Sequence, residues 1–414
     1  MINRILLVEP NFPISSKSKN HKNFLPIGLL KIASYLRENK IKIKLKRGIP
    51  NSQEDIDILE KFNPDEIWIT SLFTYWSKYI KEAVGYYKEL FPKSKVVVGG
   101  IYASLLPEHC KEYTGCDEFY VGVHKEAENF YPAYDLVNVD YQILHTSRGC
   151  IRRCDFCGTY KIEPKFISKR SIKDEIKSNK LIFYDNNLLA NKYIENILEE
   201  LKNTKVNNRA IYCECQSGFD GRILTPDLAV KLKKARFINP RIAWDNLYEE
   251  YGNIERQINY LVDGGYNPKD VYVFMVYNFE LPFEIMEEKR KKCYEWGVQI
   301  SDCRFRPLDQ TFDNYNSQKN EQSNEDYYIH PNWTDSEVRR FRRNIRRQNI
   351  CIRHDFPFYS KNLEHKVFGK LIGKKIKSID ELDEKIRFLR SNDIDFWLPE
   401  AQDQLKLELK ILVK

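Results

Sequence analysis

The chain has 414 residues, 67 Lys and Arg against 59 Asp and Glu, ten cysteines and 42% apolar residues. At roughly 100–200 residues per domain this predicts two or three domains with sizeable cores, and 13% aromatic residues exclude general disorder. No run approaches the roughly 18 apolar residues of a membrane span, and Ile5-Leu6-Leu7-Val8 is too short for a signal-peptide core of roughly 7–15. The expectation is therefore a cytoplasmic protein without a membrane partner, whose thiols are metal ligands or packing residues before they are disulfides.

Along residues 1–130, β-rich runs at 4–8, 41–45, 66–70, 95–98 and 118–121 alternate with helical periodicity at 28–37 and 78–91. This alternation predicts an α/β domain with a doubly wound, flavodoxin-like parallel sheet, whose ligands sit at the C-terminal strand ends. Gly99-Gly100 follows the fourth strand at such an end. After a linker with Pro132, strands are expected at 141–147, 181–185, 210–215, 241–245, 271–277 and 298–303, one βα unit each. Helices fit at 188–201, 226–236, 254–263 and 282–296. Six units predict a partial (β/α)6 barrel over 131–308 rather than the full eight. Residues 309–414 read as a polar linker and a small basic C-terminal extension, with 13 Lys and Arg against Asp355 and Glu364 in 338–377. From a cap at Thr334-Asp335, a helix would bury Val338, Phe341 and Ile345 and spread Arg339, Arg340, Arg342, Arg343, Arg346 and Arg347 over a basic face. That face is either a solvated surface or a contact for a polyanion such as nucleic acid.

The sharpest motif is Ser147-Arg148-Gly149-Cys150-Ile151-Arg152-Arg153-Cys154-Asp155-Phe156-Cys157, directly after the first strand of the second region. Three thiolates spaced Cys-x3-Cys-x2-Cys can hold three irons of a cubane and leave the fourth open to a ligand. A zinc site would want a fourth Cys or His at short range, and none follows Cys157 closely. Cys213 and Cys215 share one face of a strand. They are packing residues or, with Cys303, groups facing a barrel lumen. His124 and His145 read as locally hydrogen-bonded.

The cysteine loop, with Phe156 before its third Cys, resembles that of the radical S-adenosylmethionine (radical SAM) superfamily. The order of an N-terminal α/β domain, the loop and six βα units resembles the subfamily with an N-terminal cobalamin-binding domain, as do Val98-Gly99-Gly100 and Tyr184-Asp185-Asn186-Asn187. The resemblance covers about residues 1–308. It implies that Cys150, Cys154 and Cys157 ligate a 4Fe-4S cluster whose open iron chelates the SAM methionine group, with Phe156 by the adenine. Asp185, Asn186 and Asn187 would contact the SAM amino group, Arg222 its carboxylate and Asp245 the ribose hydroxyls. A reduced cluster would then split SAM into methionine and a 5′-deoxyadenosyl radical, the electron coming from a low-potential donor such as flavodoxin or ferredoxin. Cobalamin would tuck its tail among Ser71, Thr74, Gly99 and Gly100. The chain has no Asp-x-His-x-x-Gly motif to supply a lower histidine ligand, and His21 has the wrong neighbours. Methyl transfer is one outcome; the sequence does not choose among methylation, hydrogen abstraction, cyclisation and sulfur insertion, nor name the substrate. The alternatives are a cobalamin-free radical SAM enzyme acting on a nucleic acid or nucleotide, and a non-catalytic iron–sulfur electron carrier.

Overall fold

Strands buried on both faces must be apolar along their whole length and covered by helices on both sides. Ile5-Leu6-Leu7-Val8 fits that description, and it forms the heart of an interior strand of the first sheet. The computed structural model describes residues 2–14, 25–245, 247–355 and 359. The chain divides into two units, residues 1–241 with 305–329, and residues 242–304 with the chain from 330 onward.

The first unit opens with β1 (Arg4–Glu9), α1 (Ile27–Glu38), β2 (Lys42–Arg47), α2 (Gln53–Phe62), β3 (Glu66–Ser71), α3 (Ser77–Leu90), β4 (Lys95–Gly100), α4 (Ile101–Leu105), α5 (Pro107–Thr114) and β5 (Glu118–Phe119). The strands pair in parallel in the order β2-β1-β3-β4-β5. Alternate residues of β1 enter two different cores. Leu6 and Val8 pack with Ile80, Ala83, Val84 and Tyr87 of α3, while Ile5 and Leu7 pack with Leu29, Ala33 and Leu36 of α1. That is the doubly wound arrangement, and its order reverses between β1 and β3, where such sheets open a crevice for ligands. Three of these helices escaped the sequence reading, α2, α4 and α5. Ser52 starts α2 by accepting the Asp55 N–H at 3.2 Å.

The same unit continues with β6 (Gln142–Leu144), β7 (Ser147–Arg148), α6 (Thr159–Ile162), β8 (Ile167–Ser168), β9 (Lys180–Phe183), α7 (Ile194–Asn203), β10 (Lys205–Val206), β11 (Arg209–Ala210), β12 (Tyr212–Cys215) and α8 (Pro226–Lys234). Strands β6, β9 and β12 form a parallel three-stranded sheet with β9 in the middle. The polar stretch after Arg304 has no helix or strand until Thr334, as its composition predicts. It is tied to the first domain where the Ser77 hydroxyl donates to the Thr311 carbonyl at 2.7 Å.

The second unit begins within β13 (Arg241–Ala243), at Ile242, and holds α9 (Tyr251–Asp263), β14 (Tyr272–Tyr277), α10 (Phe283–Glu295), β15 (Gln299–Arg304) and α11 (Asp335–His354). Its sheet runs β13-β14-β15, with β14 and β15 parallel. All six strands expected of the partial barrel are therefore present, as two hydrogen-bonded sheets of three. A reciprocal capping box between Thr334 and Glu337 starts α11. Val338, Phe341, Ile345 and Gln348 form its buried face, while Arg340, Arg342, Arg343 and Arg346 are exposed. The Asn349 side chain accepts the Ile300 N–H at 2.8 Å and donates to the Ile300 carbonyl at 2.7 Å, both on β15. The remainder of the basic extension, from 356 onward except Tyr359, lies outside the described residues. Among the described residues no helix is long and apolar enough to cross a membrane.

Candidate functional site

The cysteine loop leaves β7, which pairs antiparallel with β8 through Ser147–Ser168 and Arg148–Ile167. Gly149 bends it with φ of +74°, and a Cβ there would lie 2.4 Å from the Lys165 carbonyl oxygen and 3.0 Å from that of Glu163. Both are backbone atoms, so only glycine fits. The Gly149 N–H donates to Glu163 Oε2 at 2.7 Å. Beneath the loop, Asp185 is fully buried. Its Oδ1 accepts the Thr146 hydroxyl at 2.6 Å, the Ser147 N–H at 2.6 Å and the Ser147 hydroxyl at 2.7 Å, and both its oxygens take the Thr146 N–H at 2.9 and 3.0 Å. Burial pushes this carboxyl above its ordinary range despite those hydrogen bonds.

Cys150, Cys154 and Cys157 are half-buried and none is in a disulfide. The Cys157 N–H closes a turn onto the Cys154 carbonyl at 3.0 Å. Among the described residues no three Cys, His, Asp or Glu side chains converge on one ion position. A cubane does not ask for that, since each thiolate meets a different iron. The Arg152 N–H points at Cys150 Sγ at 3.3 Å, and Cys157 Sγ lies 3.3 Å from Thr159 Oγ1. Phe156 is half-buried in the same loop.

Two asparagines at the end of β9 flank this loop. Exposed Asn186 accepts from Thr159 Oγ1 at 3.3 Å. Asn187 is 5% exposed; its Nδ2 reaches Asp220 Oδ2 at 3.1 Å and faces Cys150 Sγ at 3.9 Å. Its Oδ1 is buried and has no hydrogen-bond partner. Asp220, in the turn after β12, also accepts from Arg152 Nε at 2.9 Å and from Arg222 Nε at 2.9 Å. Burial works to raise the Asp220 carboxyl, but hydrogen bonds from Arg222, Arg152 and Asn187 hold it below its ordinary range.

The structure thus gathers Cys150, Cys154, Cys157, Asn186, Asn187 and Arg222 in the first unit. It changes the reading of three residues. Asp185 is spent on Thr146 and Ser147 and braces the loop from below, instead of facing a ligand. Arg222 is exposed and engaged by Asp220. Asp245 lies in the second unit, where its Oδ1 accepts the Val276 N–H at 3.3 Å. Cys213 and Cys215 are buried on one face of β12, and burial raises both thiols, Cys215 to about 12. Exposed Cys303 lies on β15 of the second unit. His145 is buried, and its ring is pushed well below its ordinary value by desolvation. Arg152, Glu163 and Asp220 were not singled out from the sequence. Asp220 does sit in the polar run after a strand, where such residues gather.

At the crevice of the first sheet, Gly100 has φ of +97°, and a Cβ there would lie 2.2 Å from the Ser71 carbonyl oxygen. The buried Ser71 hydroxyl donates to the Gly99 carbonyl at 2.7 Å and accepts the Ala103 N–H at 3.1 Å. It latches β3 to β4, and so is not open to a cofactor tail as the sequence reading had it. Thr74 is buried as well. Phe73 and Ile101, each 39% exposed, follow β3 and β4, and Phe73 stacks on Tyr75 with centroids 5.0 Å apart. His21 lies outside the described residues.

This crevice and the cysteine loop belong to one unit and are joined. Leu105, at the end of α4, would stand 3.3 Å from a Cβ on Gly158, the residue after Cys157. Glu128 takes Lys31 Nζ of α1 at 2.9 Å and grips Arg148 with both oxygens, at 2.7 and 2.8 Å.

Residues 21–134 match the B12 binding domain family, in agreement with the N-terminal domain expected from the sequence. No curated protein matches the chain. Among solved structures it is similar to the cobalamin-dependent S-adenosylmethionine radical enzyme OxsB with aqua-cobalamin bound, at 14% identity and TM-score 0.48 over 71% of this chain and 52% of that one. The SeMet-labelled apo form of OxsB aligns at 15% and 0.46 over 71% and 51%. A cobalamin-binding protein from Desulfitobacterium hafniense aligns at 16% and 0.22 over 31% and 55%. The chain spans about half the length of each of these proteins.

Proposed function

We propose that the chain is a radical SAM enzyme with a corrinoid-binding N-terminal domain. The observation that carries this reading is a loop bearing three half-exposed cysteines, with the buried, unpartnered Oδ1 of Asn187 alongside. A buried acceptor without a donor costs about 1–3 kcal/mol, and the N–H of an amine-bearing ligand chelated beside Cys150 would relieve it. The donor set also fits the group: soft thiolates for a 4Fe-4S cluster, and an amide oxygen for the amino group of SAM. Bound there, cluster and SAM supply one-electron cleavage of a carbon–sulfur bond. The chain's own residues prepare the place. Gly149, Glu163 and Asp185 fix the course of the loop, Glu128 ties it to α1, and Asn187 aims an acceptor. In the N-terminal domain, backbone at Gly99-Gly100 and the apolar side chains Phe73 and Ile101 offer a surface to a corrin ring and its tail. A low-potential flavodoxin or ferredoxin remains the expected electron donor.

The test is anaerobic reconstitution of the full chain. About four irons per chain are expected, with 5′-deoxyadenosine or S-adenosylhomocysteine formed from SAM under reductant. Replacing Cys150, Cys154 and Cys157 together by Ala should abolish both, and a triple variant that keeps its iron and its SAM turnover ends the proposal. Protein from cobalamin-supplemented cells should carry about one corrinoid per chain. Colourless protein that still cleaves SAM would remove the corrinoid and leave the radical SAM reading.

A further inference from the structure

The side-chain amide of Asn187 has one end that donates and one that accepts, and an unsupported amide can turn over by 180°. Its neighbours decide which end faces where. Asp220 Oδ2 lies 3.1 Å from Nδ2, and a carboxylate only accepts. The side chain of Asp220 is 5% exposed and is held in place by Arg222 on Oδ1 at 2.9 Å and by Arg152 on Oδ2, the oxygen that Asn187 also uses, at 2.9 Å. Arg152 belongs to the cysteine loop itself, between Cys150 and Cys154, and its own N–H points at Cys150 Sγ. One carboxylate therefore engages the cysteine loop, the turn after β12 and the asparagine at the end of β9. With Nδ2 committed to Asp220 and turned to Cys150 Sγ, Oδ1 is left as the buried acceptor without a partner. Reversing the amide would set Oδ1 against a carboxylate oxygen.

We infer that Asp220 is a positioning residue that locks the amide of Asn187, so that Oδ1 faces the amino group of SAM and Nδ2 faces the Cys150 sulfur. The assignment rests on the proposed SAM site and adds what orients its acceptor. Asp220 touches neither cluster nor SAM; it acts through Asn187 and Arg152. An amide in place of this carboxylate could present either a donor or an acceptor, and the lock would be lost.

The experiment measures SAM affinity by equilibrium dialysis on the anaerobically reconstituted full chain, together with iron content and the EPR spectrum of the reduced cluster with and without SAM. Asn187→Leu, which deletes the acceptor, should weaken SAM binding by about tenfold with iron unchanged, since one hydrogen bond to the ligand is lost. Asp220→Asn should weaken it comparably, again with iron unchanged and with a diminished SAM-induced change in the EPR spectrum. The double variant should bind SAM no worse than Asn187→Leu alone, because Asp220 acts through that amide. Asp220→Asn with native SAM affinity overturns the inference. So does a further tenfold loss in the double variant, which would make Asp220 act independently, and so does loss of iron in Asp220→Asn, which would make it a determinant of loop folding. Failure of the wild-type protein to bind SAM despite four irons would overturn the proposed function instead, and separates the two.

Discussion

Replacing Asp185 by Ala removes the acceptor beneath the cysteine loop. Thr146, Ser147 and Asp185 are all at most 2% exposed, so bulk solvent does not reach the groups it leaves behind. The two hydroxyls can rotate toward other acceptors, but the N–H groups of Thr146 and Ser147 cannot. Each orphaned buried donor costs about 1–3 kcal/mol, or about 2–6 kcal/mol for the pair. Part of this is returned, because Asp185 is itself disfavoured as an anion by burial. With its carboxyl raised in the folded state, its contribution is fully present below the ordinary value and diminishes as pH rises through the raised one. A net loss of about 2–4 kcal/mol at neutral pH is expected. Asp185→Asn keeps an oxygen for Ser147 but turns an NH2 toward Thr146, so it should fall between wild type and Ala, at about 1–2 kcal/mol. Urea unfolding of the apo-protein reads both, and iron retention after reconstitution reads the loop. An Ala variant within about 0.5 kcal/mol of wild type, or an Asn variant worse than Ala, would refute the brace.

Three other outcomes are expected. Gly100→Ala pairs a positive-φ cost of roughly 1–2 kcal/mol with a Cβ 2.2 Å from the Ser71 carbonyl oxygen, and corrinoid occupancy should fall about tenfold in cobalamin-supplemented cells. Burial works to raise the Glu128 carboxyl, but Arg148 and Lys31 hold it below its ordinary 4.5. Its stabilisation is therefore present above that value and lost as pH falls through the lowered one, and Glu128→Gln should flatten the acid limb of a pH–stability curve. Finally, reversing Arg342, Arg343, Arg346 and Arg347 to Glu should abolish any salt-sensitive binding of single-stranded nucleic acid in a filter-binding titration. Binding that survives the reversal would leave α11 a solvated surface.

Strand positions were legible because buried parallel strands need an apolar run, and β1, β3 and β4 carry one at residues 5–8, 67–69 and 96–98. Helix α2 was not read, although Ile56, Leu59 and Phe62 recur at helical spacing; the segment is largely polar and only Leu59 of its ten residues is buried. The three cysteines announced themselves by spacing. What the spacing left hidden is how the loop is held. Asp185, beside two asparagines at a strand end, looks like a ligand group. Only the fold reveals that its oxygens turn back to Thr146 and Ser147, 38 or more residues away in sequence. Asp220 and Glu128 were opaque for the same reason: their partners, Asn187 and Arg148, are distant in sequence, and a lone acidic residue in a turn gives no sign of which cations it will meet. The Ser71 hydroxyl was misjudged because strand ends in such folds commonly offer hydroxyls to ligands, whereas here the sheet consumes it.

The contact between Asn349 and Ile300 bears on how this protein behaves when concentrated. An edge strand is a template on which another molecule's strand can grow. On β15 one N–H and one carbonyl that would recruit such a strand are already satisfied by a single amide from α11. The amide imitates one rung of a ladder without offering a second edge to continue it. A strand adding along that side would have to displace this amide first. Asn349→Ala should shorten the shelf life of the protein, seen as growth of light-scattering species on storage, while leaving its iron content after reconstitution unchanged.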